Sequence, residues 1–130
     1  MARSAGAFRI TSWDEQDYAG EKDGSRMSEA NVTQEFDGDI EGTGSVRWLM
    51  CYRADGTADY VGLQHIVGRV GGRAGSFVLR SMGAFDGSKA AGDWSVVQGS
   101  GTGELEALTG TGRIDAPMGA QATYILDYEV

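Results

Sequence analysis

Short runs of hydrophobic residues, separated by polar turns, account for most of the sequence. In the run from Ile40 to Arg53, apolar residues occupy every second position from Val46 to Tyr52, and the opposite face mixes Ser45, Arg47 and Arg53 with Leu49 and Cys51. Successive side chains of a β-strand point to opposite faces, so this alternation predicts strands with one buried face. The pattern predicts eight strands: Ala7–Trp13, Glu29–Phe36, Ile40–Arg53, Ala58–Val70, Arg73–Phe85, Trp94–Gln98, Glu104–Arg113 and Ala122–Val130.

Four Asp-Gly pairs lie along the chain, and at least three of them fall between predicted strands. This dipeptide supplies the positive φ angles of tight hairpin turns, so neighbouring strands should pair antiparallel through short connections. We therefore predict a single all-β domain over residues 1–130, an eight-stranded antiparallel up-and-down barrel. The polar stretch from Asp14 to Ser28 is predicted to be a crossing loop or a lid over one barrel mouth.

Composition narrows the kinds of binding partner and the cellular compartment that we expect for this protein. Glycine provides 21 residues, roughly twice its average usage of about 7%, which fits a sheet with many bends. The net charge of −8 disfavours nucleic acid and anionic membrane surfaces as partners. The single cysteine, Cys51, allows no internal disulfide, and no apolar signal segment or membrane span is evident. We expect a cytoplasmic protein.

The predicted fourth strand has two different faces. Tyr60, Gly62 and Gln64 share one face with Ile66 and leave space beside a tyrosine and an amide, so this face should line the lumen. The opposite face carries valine and leucine instead of uniformly polar residues. A barrel wall that is apolar on both faces predicts a homo-oligomer, with a dimer favoured by general frequency.

Two groups of charged residues could carry chemistry. Glu35, Asp37, Asp39 and Glu41 occur at alternate positions. They are either solvated carboxylates around a turn, an acid and base pair such as an aspartic-type hydrolytic dyad, or a weak cation site.

Arg73 and Glu104 form the second group and lie beside glycines that permit close approach. They are expected to make a partly buried structural ion pair, or Arg73 orients an anionic ligand in the lumen.

Other residue types give no recognised catalytic, metal or cofactor motif. His65 and Cys51 lack the neighbours of a metal or Cys-His site, so His65 is expected to be a hydrogen-bonded residue of the barrel wall and Cys51 a small buried hydrophobic residue. The run from Gly99 to Gly103 lacks the Lys-Ser/Thr of a phosphate loop, so we predict neither a metal nor a cofactor. Aromatic residues with polar tips either fill the lumen or line a pocket: Trp48, Tyr52, Tyr60, Trp94, Tyr124 and Tyr128.

Several short blocks, taken together, resemble the bacterial DUF3224 family of domains of unknown function, almost from end to end. The blocks are Trp13-Asp14-Glu15, Phe36 to Gly42, Tyr60 to Leu63, Gly72 to Phe77 and Gly99 to Leu105. The resemblance implies an eight-stranded barrel of the allene oxide cyclase-like type, for which a trimer is also an option. It further implies that Gln64 stands where relatives often have glutamate, and an amide retains hydrogen bonding without proton transfer.

We therefore expect a barrel that binds a small apolar or weakly acidic molecule in its lumen, with no catalytic residue identified. The alternatives are an enzyme that uses the lumen for cyclisation, isomerisation or hydrolysis of a small molecule, and an aspartic-type peptidase. The residues expected to line the lumen are Trp48, Tyr60, Gln64, Arg73, Glu104 and Tyr124.

Overall fold

Eight strands close into an antiparallel barrel, as the sequence predicts, and a ninth short strand pairs along one of them. The computed structural model describes residues 1–130. The strands are β1 (Ala2–Gly20), β2 (Arg26–Gly38), β3 (Ile40–Tyr52), β4 (Ala58–Val70), β5 (Arg73–Phe85), β6 (Lys89–Val96), β7 (Thr102–Gly103), β8 (Thr109–Pro117) and β9 (Ala122–Glu129). Each barrel strand pairs with its neighbour in sequence, apart from the short β7, and β9 closes the barrel by pairing with β1.

The prediction of a loop over Asp14–Ser28 is wrong. β1 continues to Gly20 and β2 begins at Arg26, so most of this polar stretch forms a two-stranded ribbon. The alternation on β2 explains the result, because Ser28 and its alternate neighbours on the same face are buried and hold the ribbon in the sheet. Only the tip is a turn, where Gly24 has a φ of 92° and Asp23 accepts the backbone N–H of Ser25 at 2.9 Å.

The predicted strand Glu104–Arg113 is also wrong in its first half, because residues 104–108 form turns instead. The backbone N–H of Leu108 donates to the carbonyl of Leu105 at 3.0 Å, and both leucine side chains are buried in the core. Their spacing of three residues fits a turn, which brings both side chains to the same side, whereas a strand would separate them. β6 likewise begins before the predicted Trp94 and ends at Val96.

The two ends of the barrel differ in how they are filled. At one end, here called the closed end, the β2–β3 and β4–β5 turns meet the connection between β6 and β8. The interior there is packed by a cluster of 15 buried residues that includes Phe36, Trp94 and Tyr124. At the other, open end, five buried residues form a smaller cluster: Ala30, Val32, Val46, Met50 and Tyr60.

Tyr124 links three strands at the closed end. Its hydroxyl accepts the backbone N–H of Ile40 and donates to the carbonyl of Asp37, each at 2.8 Å. The hydroxyl fits there because Gly6 leaves the space open, since a Cβ at that position would lie 2.5 Å from it. The ring also packs against Phe36 and Trp94, with centroids 5.9 and 5.8 Å away.

The outer face of β3, β4 and β5 carries exposed apolar side chains. Val61, Leu63 and Val67 of β4 all point outward, and Leu49 and Met82 flank Val61 on the neighbouring strands. This arrangement agrees with the two apolar faces read from the sequence, but self-association stays a prediction. No helix of the structure has the length and apolar character needed to cross a membrane.

Replacing Tyr124 with phenylalanine should lower the free energy of unfolding by about 1–3 kcal/mol, because a buried N–H and a carbonyl lose their partner. Urea denaturation measures the change. Tyr18→Phe, at an exposed tyrosine, is the control and should stay within about 0.5 kcal/mol of the parent. Equal losses in both variants would contradict the role given to the Tyr124 hydroxyl.

If the outer apolar face joins two or more subunits, light scattering should give a mass above the 13.8 kDa of one chain at micromolar concentration. Leu63→Glu should then shift the mass to that of the monomer, because it places a carboxylate within the apolar contact. Thr111→Glu adds the same charge on the exposed outer face of β8 and should change nothing. A parent mass near 13.8 kDa would show that this face is free in solution.

Candidate ligand-binding site

The open end of the barrel contains an apolar cavity of about 250 Å³. An apolar cavity of about 150 Å³ holds benzene, so this one has room for a somewhat larger molecule, such as a two-ring hydrocarbon. Ile10 and Trp13 are 48% and 44% exposed, so the rim of the cavity reaches solvent. All eleven lining residues are apolar or aromatic: Phe8, Ile10, Trp13, Trp48, Met50, Tyr52, Tyr60, Phe85, Ala90, Ile114 and Ala116.

A bulge in β1 determines which residues form the rim. The pairing with β2 shifts between Ile10 and Ser12, so that Ile10 lies opposite Gln34 and Trp13 lies opposite Val32. Both partners on β2 are buried, and Trp13 therefore shares the inner face with Ile10. Strict alternation would have turned Trp13 outward. Trp13 is not among the residues expected to line the lumen, and alternation along β1 would not have identified it.

Glu15 holds the rim in place. Its carboxylate accepts the indole N–H of Trp13 at 2.9 Å and the hydroxyl of Ser28 at 2.5 Å. Partial burial alone raises the pKa of Glu15, but hydrogen bonds from Ser28, Trp13 and Tyr52 outweigh that effect and hold the pKa below its usual value. The group is therefore ionised at neutral pH, and the rim carries a negative charge.

Tyr52 stands beside this carboxylate on the third strand. Burial, followed by the hydrogen bond to Glu15, raises the pKa of Tyr52 to about 12. The guanidinium of Arg26 lies over the Tyr52 ring, 4.0 Å from its centroid, and pairs with Asp17 at 3.0 Å. The ribbon that contains Trp13 is thus tied to β3 by polar contacts outside the cavity.

Trp48, Tyr60 and Gln64 meet on the inner faces of β3 and β4, as the sequence analysis expects. Tyr60 and Gln64 flank Gly62 on β4, and Trp48 pairs with Gly62 across the two strands. Trp48 and Tyr60 line the cavity, whereas Gln64 lies deeper and donates to Gln34 Oε1 at 2.5 Å. The ring centroids of Trp48 and Tyr60 are 5.4 Å apart in an edge-to-face arrangement.

Tyr60 reaches across the barrel to β5 and β6. A Cβ at Gly83 or Gly92 would lie 2.7 or 2.2 Å from its hydroxyl, so both glycines are needed for the tyrosine to fit. Burial, with a smaller contribution from the charge of Asp93, raises the pKa of Tyr60 to about 12. The hydroxyl therefore keeps its proton and can donate a hydrogen bond.

Besides Gln64, three expected lumen residues lie outside the cavity. Tyr124 belongs to the packed core of the closed end, and Arg73 and Glu104 are exposed at that same end. The predicted Arg73–Glu104 ion pair is wrong. Glu104 Oε1 instead accepts the backbone N–H of Ala74 at 3.1 Å, and the arginine follows the Gly71-Gly72 turn with its side chain in solvent. A hydrated guanidinium there avoids the cost of desolvation.

The four carboxylates of the acidic run around the β2–β3 turn differ in their surroundings. Glu35 pairs with Arg9, and Asp39 accepts the backbone N–H of Ala5 at 2.9 Å. Asp37 and Glu41 are exposed. The run lies at the closed end, away from the cavity, because Gly38 reverses the chain with a φ of 101°.

His65 and Cys51 both lie on the outer face of the barrel and are exposed. The expectation that Cys51 is a small buried hydrophobic residue is wrong. Cys51 lies an even number of residues from Arg47 on β3, so its side chain points outward as that of Arg47 does. His65 lies in the barrel wall, as expected, but its side chain is exposed and makes no hydrogen bond.

Comparisons with known proteins agree with the resemblance read from the sequence. The family model described as "Protein of unknown function (DUF3224)" matches residues 4–128. The crystal structure of a DUF3224 protein of unknown function from Shewanella oneidensis MR-1 is similar, with 30% identity and a TM-score of 0.83 over 99% of this chain and 97% of that one. A search of curated proteins gives no match. The chain therefore belongs to the DUF3224 family.

Proposed function

We propose that this protein binds a small, neutral, largely apolar molecule in the cavity at the open end of the barrel. The observation that carries the proposal is the lining of the cavity. All eleven residues that enclose its volume of about 250 Å³ are apolar or aromatic. Such a site gains free energy mainly by removing apolar surface of the ligand from water. The aromatic rings of Trp13, Trp48 and Tyr60 add faces and edges suited to an unsaturated or ring-shaped molecule.

The charges around the cavity favour a neutral ligand over a carboxylate. Glu15 is ionised at the rim, and no lysine or arginine lines the cavity. Arg73, which in the sequence analysis supported a weakly acidic ligand, is at the opposite end of the barrel. A carboxylate would therefore enter past a like charge and find no cation inside.

The enzymatic alternatives stay predictions. Cyclisation or isomerisation in the cavity would have to use the shape of the lining and the hydroxyls of Tyr52 and Tyr60, which keep their protons at neutral pH. Glu15 is the ionised group next to the cavity, and its oxygens already accept hydrogen bonds from Trp13 and Ser28. Peptidase activity would depend on the acidic run at the closed end. The binding proposal requires none of these reactions.

Binding of the two-ring hydrocarbon tetralin, measured by isothermal titration calorimetry, tests the proposal. Ala90 lines the cavity, so Ala90→Leu should fill part of the space and weaken tetralin binding at least about tenfold, or about 1.4 kcal/mol. Ala91→Leu is the matched control, because this neighbouring alanine is exposed on the outer face of β6. It should bind tetralin like the parent.

Failure of the parent to bind tetralin and other small apolar molecules would overturn the proposal. So would equal loss of binding in the Ala90→Leu and Ala91→Leu variants, because the bound molecule would then lie elsewhere. Benzoate, tested in parallel, should bind more weakly than tetralin because of the ionised rim. The reverse order would favour the weakly acidic ligand.

A further inference from the structure

Three buried polar atoms without a hydrogen-bond partner belong to neighbouring inward-facing residues of β3 and β4, two of which line the cavity. They are the indole nitrogen Nε1 of Trp48, the hydroxyl oxygen of Tyr60 and the side-chain oxygen Oε1 of Gln64. We call these three atoms the polar floor. Buried polar groups in folded proteins are nearly always paired, so three unpaired atoms in one region require an explanation.

The strand register brings the three side chains together. Tyr60, Gly62 and Gln64 are successive inward positions on β4, and Trp48 is opposite Gly62. The indole edge of Trp48 lies over Gly62, where a Cβ would be 2.6 Å from the ring carbon Cδ1, the neighbour of Nε1. Because Gly62 has no side chain, the gap between Tyr60 and Gln64 is occupied by the edge of Trp48 that bears the N–H group.

The chemistry of the polar floor is specific. The Trp48 nitrogen can only donate a hydrogen bond, and the protonated Tyr60 hydroxyl also has a proton to donate. Gln64 Oε1 can only accept. The Trp48 and Tyr60 rings line the cavity, so both donors belong to residues that a bound molecule would touch.

We propose that the natural ligand carries one compact, neutral hydrogen-bonding group, a ketone, alcohol or amide, at one end of its apolar body and places it on the polar floor. This inference rests on the proposed function. An oxygen acceptor on the ligand satisfies Trp48 or Tyr60, and a hydroxyl or N–H satisfies Gln64 as well. A charged group would lose its hydration without gaining an opposite charge.

The test compares two molecules that differ by one carbonyl group, tetralin and 1-tetralone, by isothermal titration calorimetry. Tyr60→Phe removes one donor of the polar floor and leaves the ring in place. Relative to the parent, we expect this variant to lose about 2- to 10-fold more affinity for 1-tetralone than for tetralin. Tyr124→Phe is the control, because it removes a hydroxyl that is buried but already paired at the closed end, and it should change neither affinity.

Thermal unfolding gives a second measurement. Because the Tyr60 hydroxyl is buried without a partner, Tyr60→Phe should keep or raise the melting temperature, whereas Tyr124→Phe should lower it. A marked loss of stability in Tyr60→Phe would show that the hydroxyl is paired within the protein, which would overturn the inference.

The outcomes separate the two proposals. If the parent binds neither molecule, both the cavity function and the inference about its polar floor are wrong. If the parent binds both molecules, and Tyr60→Phe changes the two affinities equally, the cavity binds apolar molecules but the polar floor does not recognise a polar group. A larger loss of affinity for 1-tetralone than for tetralin supports the inference.

Discussion

Aromatic rings packed over glycines of neighbouring strands are the contacts on which this barrel depends. The interior of an eight-stranded barrel is only wide enough for side chains, so a large ring fits where a facing residue has none. Tyr124 uses the space beside Gly6, and Tyr60 uses the space beside Gly83 and Gly92. A methyl group at any of these glycines would overlap a ring or its hydroxyl. These three glycines are thus the complement of two large aromatic residues.

The two ends of the lumen use this complementarity between rings and glycines in different ways. At the closed end Tyr124 satisfies its hydroxyl with the backbone of Asp37 and Ile40 and completes a packed aromatic core. At the open end Tyr60 and Trp48 pack over glycines beside an apolar cavity. The Tyr60 hydroxyl and the Trp48 indole nitrogen have no hydrogen-bond partner there. The same packing principle therefore stabilises one end of the barrel and creates a candidate binding site at the other.

Local patterns predict much of this architecture, but not its ends. The inward face of β4 follows strict alternation, so Tyr60 and Gln64 could be assigned correctly from the sequence. The inward orientation of Trp13 could not be assigned, because the bulge in β1 exchanges the inward and outward positions of the residues beyond it. Arg73 and Glu104 share a distinctive glycine-rich setting, but Arg73 is the first residue of β5 and Glu104 lies in a turn, so both are at the end of the barrel and outside the lumen. The cavity lining therefore emerges only from the assembled barrel.

Both proposals require that small apolar molecules enter the cavity at the open end of the barrel. Xenon occupies apolar cavities with little need for polar contacts, so diffraction from crystals held under xenon pressure shows whether this cavity is accessible. We expect xenon among Trp13, Trp48, Tyr60 and Ala90 at the open end. Xenon found only on the outer face or in the closed end, with the open end empty, would show that the cavity does not admit such molecules.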